Sequence, residues 1–262
     1  MSSVIWLSDI HLDHISPPRI REFAKSLANK TVIISGDISS SRELPWHLEL
    51  LKDSDATLLF VLGNHDFYGS SIKSVRKQIS NLGLGRVIYL TTLDSGTYIT
   101  EDTVVIGHDG WYDARNGSYQ YTTVELADFS QIKEFKNTYE KHVRLEVIQR
   151  LADEAVEIMR HRLVNSCKLY KNIIAVTHVP PFADSATYKG KISDSQFQPF
   201  FSCYAMGKMM FDVMSENLDN NLTVLCGHSH GGNVYKPCDN ITVYTAEAEY
   251  GKPAIQSLWS IK

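Results

Sequence analysis

Seven polar residues with metal-binding side chains follow the ends of five apolar runs in the sequence. They combine imidazole nitrogens with carboxylate and amide oxygens and include no thiolate. This set favours borderline or hard divalent ions such as Mn, Fe, Ni or Zn over a structural zinc site. Seven ligands exceed the needs of one tetrahedral ion, so two ions that share a carboxylate are the natural arrangement. The candidate ligands are Asp9, His11, Asp37, Asn64, His178, His228 and His230.

The apolar runs that precede these residues are short and rich in β-branched side chains. Because they do not alternate with polar residues, they predict strands that are buried on both faces. The carboxyl ends of parallel strands lie along one edge of a sheet, where α/β proteins form their sites. Residues scattered over about 220 positions would therefore meet there, and glycines at 36, 63 and 227 suit the tight turns. The predicted strands are residues 4–7, 31–35, 57–62, 86–90, 103–107, 172–176 and 222–226.

Amphipathic segments separate the strands and predict an α/β fold. Residues 18–30 have apolar side chains at the spacing of one helix face and open with a proline. Residues 71–82 and 204–217 have a similar pattern, and a longer helical segment is predicted over about 124–167. The last forty residues predict strands at a sheet edge. Because no repeat or linker is evident, residues 1–262 are expected to form a single domain.

The blocks D-x-H, G-D, G-N-H-D, H and G-H-x-H occur in this order across residues 9–230. This order resembles the signature of the calcineurin-like metallophosphoesterases. The resemblance covers most of the chain and implies one metallophosphoesterase domain, a four-layer α/β/β/α sandwich of mixed sheets flanked by helices. It also implies two divalent metal ions, with Mn as the first choice and Fe, Zn or Ni as alternatives. One ion would be held by Asp9, His11, Asp37 and His230, and the other by Asp37, Asn64, His178 and His228.

Two divalent ions would leave this site cationic, because Asp9, Asp37 and a bridging hydroxide would cancel only part of their charge. A phosphate oxyanion is the matching ligand. Paired ions can also clamp both the attacking and the leaving oxygen of an in-line displacement. The expected reaction is hydrolysis of a phosphomonoester or phosphodiester by attack of a metal-bridging hydroxide, with Asp37 as the shared carboxylate.

His65 lies next to the ligand Asn64 and, by the family resemblance, is not itself a ligand. It is expected to donate a proton to the leaving oxygen, or a hydrogen bond to the developing charge, a role usually worth about 10²–10⁴ in rate. In related protein phosphatases the equivalent histidine is oriented by an aspartate of a D-R-G that follows the G-D block. This chain has Ser39 to Arg42 there, so the group that orients His65 is left open. Asp66 is expected to hold the loop.

The substrate is predicted from two departures from the protein phosphatases. The missing D-R-G, with G-N-H-D in place of G-N-H-E, makes the chain more similar to small bacterial and phage phosphodiesterases, which include cyclic-nucleotide enzymes. A small nucleotide-type substrate is therefore favoured. In one aromatic loop, Trp111 or Tyr112 is predicted to stack on a base and Arg115 to contact phosphate. The same aromatics would equally serve to anchor a surface loop, and His108 and Asp109 fit either a turn or a position behind the metal ligands.

The composition of the chain bears on its binding partners and its location. The net charge of -4 and the pI near 6.2 give no field that would gather a nucleic-acid backbone, so nucleic acid is disfavoured as a partner but not excluded. No basic leader and no bilayer-length apolar stretch is evident, which predicts a cytoplasmic protein without a membrane partner.

A DNA exonuclease-type enzyme and a noncatalytic interaction scaffold are the alternative functions. The acidic balance counts against the first, and the complete ligand set counts against the second. The oligomeric state is open.

Overall fold

The computed structural model describes the backbone of residues 2–261 and the side chains of residues 4–257. Seven of its strands match the seven predicted apolar runs to within two residues at either end. The match is close because these runs are buried on both faces; Val32, Ile33 and Ile34, for example, have no exposed surface. The strands are β1 (Ser2–Leu7), β2 (Thr31–Ser35), β3 (Thr57–Val61), β4 (Val87–Tyr89), β5 (Thr97–Thr100), β6 (Thr103–Gly107), β7 (Asn172–Val176), β8 (Thr187–Tyr188), β9 (Lys191–Ile192), β10 (Asn221–Cys226), β11 (Asn233–Cys238), β12 (Ile241–Thr245) and β13 (Ser257–Ile261).

Helices connect most of the parallel strands. The sequence prediction omitted one of them, residues 44–52, although Leu44, Leu48 and Leu51 are buried at the spacing of one helix face. The helix predicted over 18–30 ends four residues early, before Asn29 takes a left-handed φ of 58°. The helices are α1 (Pro17–Ser26), α2 (Leu44–Lys52), α3 (Ile72–Ser80), α4 (Asp128–Gln131), α5 (Lys141–Cys167), α6 (Gln198–Phe201) and α7 (Tyr204–Ser215).

The segment predicted as helical over about 124–167 is only partly helical in the structure. Helix α5 begins at Lys141, and the residues before it form α4, one 3-10 turn and irregular backbone. Ile132 has an extended conformation (φ −105°, ψ 129°), which ends α4. The break places the Phe129 and Phe135 rings edge to face, 5.6 Å apart, in the core. Tertiary packing therefore overrides the helical spacing in this part of the chain.

The described strands form two large mixed sheets and one small hairpin. The first sheet has the order β13-β1-β2-β3-β4, in which β1 to β4 are parallel and β13 is antiparallel to β1. The second sheet has the order β11-β12-β10-β7-β6-β5, with parallel central strands and antiparallel edge strands. Strands β8 and β9 pair as the hairpin.

The two sheets pack face to face, with helices on their outer sides. Along β1, Val4 and Trp6 join a buried cluster with Val105 of the second sheet. The alternate residues Ile5 and Leu7 belong to the larger cluster that includes the helices, and α5 lies against β6 and β7. This arrangement is the α/β/β/α sandwich that the family resemblance implies. Among the described residues, no helix is both long enough and apolar enough to cross a bilayer.

Candidate metal centre and its cavity

The seven candidate ligands converge where the carboxyl edges of the two sheets meet. Hydrogen bonds join the loops that carry them. The His228 amide donates to Asp9 Oδ1 (3.0 Å), and the Gly227 amide donates to the His178 carbonyl (2.8 Å). The Asp9 amide donates to the Gly36 carbonyl (3.0 Å). Backbone and ligand positions are thus fixed together, across both sheets.

Most of the ligands lie on left-handed backbone. A positive φ is uncommon for residues other than glycine and occurs mainly in tight turns or at strained sites. Here it allows the chain to turn as soon as it leaves a buried strand, so that a ligand follows each strand within a few residues. The residues concerned are Asp9 (φ 51°), His11 (38°), Asp37 (51°), His228 (67°) and His230 (58°).

Two glycines leave the space in which the ligands pack. A Cβ at Gly63 would collide with Asp37 Oδ1 and would lie 2.6 Å from the Asp37 amide nitrogen and 2.7 Å from His178 Cε1. A Cβ at Gly227 would collide with the Asp9 carboxylate and with the Ser8 hydroxyl. Close approach of backbone to ligand, expected from the sequence, is the reason that glycine occupies both positions.

The first group of ligands consists of Asp9, His11, Asp37 and His230, whose donor atoms all lie within 4.8 Å of one another. His230 Nε2 is 3.2 Å from Asp9 Oδ1, and His11 Nε2 is 3.9 Å from Asp37 Oδ2. The two Nε2 atoms themselves are 3.4 Å apart. Two imidazoles and two carboxylates that converge in this way could hold a divalent cation.

The second group forms around Asn64. The side-chain nitrogen of Asn64 donates to a carboxylate oxygen of Asp128 (2.8 Å). This hydrogen bond turns the side-chain oxygen of Asn64 toward His178 Nε2 (3.1 Å) and His228 Nδ1 (2.9 Å). The far nitrogen of His228 lies 2.8 Å from the Phe200 carbonyl, a contact that requires a proton on that nitrogen. In the neutral ring, Nδ1 therefore directs a lone pair at the Asn64 oxygen, which is also an acceptor. A cation between them would satisfy both atoms.

Asp37 faces both groups. Its Oδ2 is 3.9 Å from His11 Nε2, and its Oδ1 is 3.4 Å from His178 Nε2. Burial alone would raise the pKa of this carboxyl, but the nearby imidazoles, His178 first, hold it well below its usual range. The carboxylate therefore stays ionised and has one oxygen directed to each group.

The histidines differ in their protonation. Burial lowers the pKa of His11 and of His228 to about 4, so both rings are neutral near pH 7, as metal ligands must be. Burial also disfavours the charged form of His178, but the adjacent Asp37 charge raises its pKa to about 10. A divalent ion at this position would displace that proton and take over its pairing with the carboxylate.

Asp66 holds the loop that carries Asn64, as expected from the sequence. Its Oδ1 accepts hydrogen bonds from the amides of Ile38 (2.9 Å) and Ser39 (2.8 Å), and its Oδ2 accepts one from the Gly63 amide (2.8 Å). One buried carboxylate thus ties the loop after β3 to the loop after β2, which carries Asp37.

Asp128 is a site residue that the sequence prediction missed. It is buried, and it accepts hydrogen bonds from Asn64 Nδ2 (2.8 Å), Tyr68 Oη (2.6 Å) and Tyr112 Oη (2.9 Å). By holding the amide of Asn64, it fixes which atom faces the histidines. Because it falls within the segment assigned to a helix, no feature of the sequence distinguishes it from an ordinary helix residue.

Replacement of Asp128 by Asn is expected to weaken manganese binding about 10- to 100-fold, as is usual when a residue that orients a metal ligand is lost. The new amide can accept through only one oxygen, whereas three donors now converge on the carboxylate. Calorimetric titration of the metal-free protein with Mn²⁺ measures the change. Asp102→Asn is the matched control, because Asp102 also accepts three hydrogen bonds but lies at the opposite, amino end of β6 and β7. Equal manganese affinity in the Asp128→Asn and Asp102→Asn variants would show that Asp128 does not orient a metal ligand.

His65 lies at the mouth of the site. Its Nε2 is 3.9 Å from Asp37 Oδ2 and 3.5 Å from Tyr250 Oη, and its side chain is 24% exposed. The ring stacks on Tyr68 (centroids 4.3 Å apart) and meets the edge of His11 (4.7 Å). Aromatic packing, with the Tyr250 hydroxyl nearby, therefore orients this histidine where the related phosphatases use an aspartate.

The predicted stacking of a base on Trp111 and Tyr112 is not compatible with their positions. Trp111 is 4% exposed and stacks on Phe135 (5.9 Å), and Tyr112 is completely buried. Neither ring has a face free for a substrate, because the loop that follows β6 packs its aromatics into the core. The alternative, that they anchor the loop, is the one that fits. Tyr112 does reach the site indirectly, through its hydrogen bond to Asp128.

Arg115 also lies away from the metal ligands. Its guanidinium forms a two-pronged ion pair with Asp153 (both contacts 2.8 Å) and a longer one with Asp113, so its charge is already matched. Asp109 accepts hydrogen bonds from the Leu62 amide and from Arg76 Nε (both 2.8 Å), which makes it part of the structural core behind β3. These two residues stabilise the scaffold, and neither lines the cavity that opens above the metal ligands.

A cavity of about 650 Å³ opens above the ligands. Its floor includes metal-ligand candidates and Asp128, and its walls come largely from the chain between β8 and α6. The sequence prediction missed these wall residues, since only the Lys-Gly turn and scattered aromatics mark them. The lining residues other than those of the floor are His65, Tyr68, Leu126, Ala127, Tyr188, Lys191, Ile192, Ser193, Asp194, Phe197, Phe201, Ser229 and Tyr250.

The family model for calcineurin-like phosphoesterases matches residues 2–232. The chain belongs to the calcineurin-like phosphoesterase family. This confirms the resemblance drawn from the five sequence blocks, and it supports a hydrolase of phosphoric esters. Calcineurin-like phosphoesterases depend on a dinuclear metal site, in agreement with the buried Asp and His groups of this chain.

Solved structures share the calcineurin-like fold with this chain. A dimetal phosphatase from Danio rerio is 13% identical, with 94% of this chain and 87% of that protein covered and a TM-score of 0.59. The protein TT1561 of Thermus thermophilus is 12% identical, with 94% and 89% covered and a TM-score of 0.50. At these identities the likeness shows the fold alone. A comparison with curated protein sequences gives no significant match.

Proposed function

We propose that this calcineurin-like protein is a dinuclear-metal phosphoesterase that hydrolyses a phosphomonoester or phosphodiester, with a small nucleotide-type substrate favoured. The observation that carries the proposal is the position of Asp37, whose two oxygens face two separate groups of ligands, one containing His11 and the other His178. A carboxylate shared in this way matches a pair of ions better than a single ion. Family membership supports the reaction class.

The residues of the chain have distinct parts in the proposed reaction. Two divalent ions, with Mn²⁺ as the first choice, would when bound polarise the phosphoryl oxygens and lower the pKa of water to near neutrality. The first group of ligands would hold one ion and the second group the other, with Asp37 common to both. His65, next to the Asp37 carboxylate but at the open side of the site, would donate a proton or a hydrogen bond to the leaving oxygen.

Metal analysis and a substrate panel test this proposal against the other two functions considered. The panel consists of p-nitrophenyl phosphate, bis-p-nitrophenyl phosphate, cyclic nucleotides and single-stranded DNA, each with Mn²⁺ and other divalent ions. We expect about two metal ions per chain and hydrolysis of a small ester. Degradation of DNA without hydrolysis of small esters would select the exonuclease. Inactivity with every added ion would select the noncatalytic scaffold.

A further inference from the structure

The cavity above the metal ligands has a wall that the proposed chemistry does not use. Tyr188, Ile192 and Phe197 are 55%, 50% and 44% exposed, although they are large apolar or aromatic side chains, and all three line the cavity. Phe201, which is partly buried, continues the wall toward the ligands. Apolar surface that is left open beside a polar reaction centre is the usual property of a ligand pocket.

The wall is fixed directly to the metal site. The ring of Phe201 lies 4.9 Å from the ring of His228, and the carbonyl of the neighbouring Phe200 accepts a hydrogen bond from His228 Nε2 (2.8 Å). Phe197 packs against Phe201 with 6.0 Å between ring centroids. The same short segment that orients a metal ligand therefore also supplies the aromatic surface, and the distance between phosphate site and wall is set by the fold.

The other part of the wall is the β8–β9 hairpin. Its two-residue turn has left-handed backbone at Lys189 (φ 49°) and Gly190 (φ 73°), the geometry that suits tight hairpins. Thr187 ties the hairpin to the ligand loop, since its hydroxyl donates to the carbonyl of Gly231 (2.5 Å), the residue after His230. The hairpin thus holds Tyr188 at the cavity, in a position fixed relative to His230 of the first group of ligands.

The size of the cavity bears on what it would hold. A volume of about 650 Å³ falls within the range of pockets that enclose whole organic ligands, roughly 300–1,000 Å³, and is far more than a phosphoryl group alone would fill. Tyrosine and phenylalanine rings offer flat faces on which a planar group stacks. The ions would take up the phosphoryl end of an ester, which leaves the wall for its organic group.

We infer that the wall formed by Tyr188, Ile192, Phe197 and Phe201 binds a flat aromatic group carried by the phosphate ester, so that the protein selects aryl or nucleoside esters over small aliphatic ones. This inference rests on the proposed phosphoesterase function and narrows its substrate class. Recognition comes from stacking and apolar contact. The aromatic group therefore needs no particular pattern of hydrogen-bond donors and acceptors.

Binding of non-hydrolysable phosphonates to the manganese-loaded protein tests the inference without relying on turnover. Calorimetry compares methylphosphonate with 1-naphthylmethylphosphonate, which carry the same charged group. We expect the naphthyl compound to bind at least about tenfold more tightly, as stacking of one ring usually provides. The phosphonate analogue of adenosine 5′-monophosphate forms a third arm. Tighter binding of this analogue than of the naphthyl compound identifies a nucleobase as the aromatic group, and the reverse order identifies a simple aryl group.

Variants of the wall locate the effect. Phe197→Ala and Tyr188→Ala alter exposed side chains, and each is expected to reduce the naphthyl-to-methyl affinity ratio about fivefold or more. Tyr98→Ala is the matched control, because Tyr98 is a similarly exposed aromatic on β5 (73%) and should leave the ratio unchanged. Equal binding of the two phosphonates, or an unchanged affinity ratio in both wall variants, would overturn the inference and leave the proposed phosphoesterase function standing. If neither phosphonate binds, both the inference and the proposed phosphoesterase function fail.

Discussion

Replacement of Asp37 by Asn is expected to lower phosphoesterase turnover by about 10³-fold and to reduce the bound metal below two ions per chain. The neutral amide offers one oxygen where the carboxylate offers two, and it removes the negative charge that both ligand groups share. A metal ion used as a Lewis acid contributes several kcal/mol, and each 1.36 kcal/mol corresponds to a factor of ten in rate. Asn tolerates left-handed backbone, so the φ of 51° at this position is preserved.

Metal content by elemental analysis and kcat/KM on bis-p-nitrophenyl phosphate are the two readouts for this variant. Asp55→Asn is the matched control, since Asp55 also has left-handed backbone (φ 60°) but is exposed and follows α2, away from the site. The control should retain both ions and full activity. Two tightly bound ions and normal turnover in Asp37→Asn would show that the carboxylate is not shared between ions.

Replacement of His65 by Ala is expected to lower turnover by about 10²–10⁴ while both metal ions stay bound. The side chain faces the open side of the site, with Nε2 near Asp37 Oδ2 and the Tyr250 hydroxyl, and it is not required by either group of ligands. Its loss should therefore affect kcat and leave the metal content unchanged. Steady-state kinetics combined with metal analysis separate this outcome from simple loss of a ligand.

His161→Ala provides the comparison for His65, because His161 is an exposed histidine on α5 that contacts Asn165. It should have wild-type kinetics. Full turnover in His65→Ala with both ions bound would end the proposed role in protonating the leaving oxygen. Loss of metal from His65→Ala would instead indicate that His65 is itself a metal ligand.

Residues that follow buried strands are predictable from the sequence, and this explains why the candidate ligands were found. An uninterrupted β-branched run such as Val32 to Ile34 has few alternatives to a strand buried on both faces. The parallel order of such strands then requires their carboxyl ends to share an edge. Asp37 and Asn64 come together for that reason, although 27 positions separate them in the sequence.

The aromatic residues were harder to assign, because a ring that stacks on substrate and a ring that packs in a core have the same sequence pattern. Trp111 and Phe197 are both aromatic residues in long loops, yet one is 4% exposed and the other 44%. Which ring is covered depends on distant partners, here Phe67 and Phe135 around Trp111. Asp128 was missed for the same reason, since the three side chains that donate to it lie 16, 60 and 64 positions away in the sequence.

The crowding at Gly63 and Gly227 bears on how homologous genes are interpreted. A chain that kept every ligand but carried alanine at either position would have no room for the carboxylate that packs there. Such a chain would match the ligand pattern and still be unable to assemble the dinuclear site. Inspection of these two small residues, alongside the ligands themselves, would therefore help to separate enzymes from relatives that have kept the fold for binding other proteins.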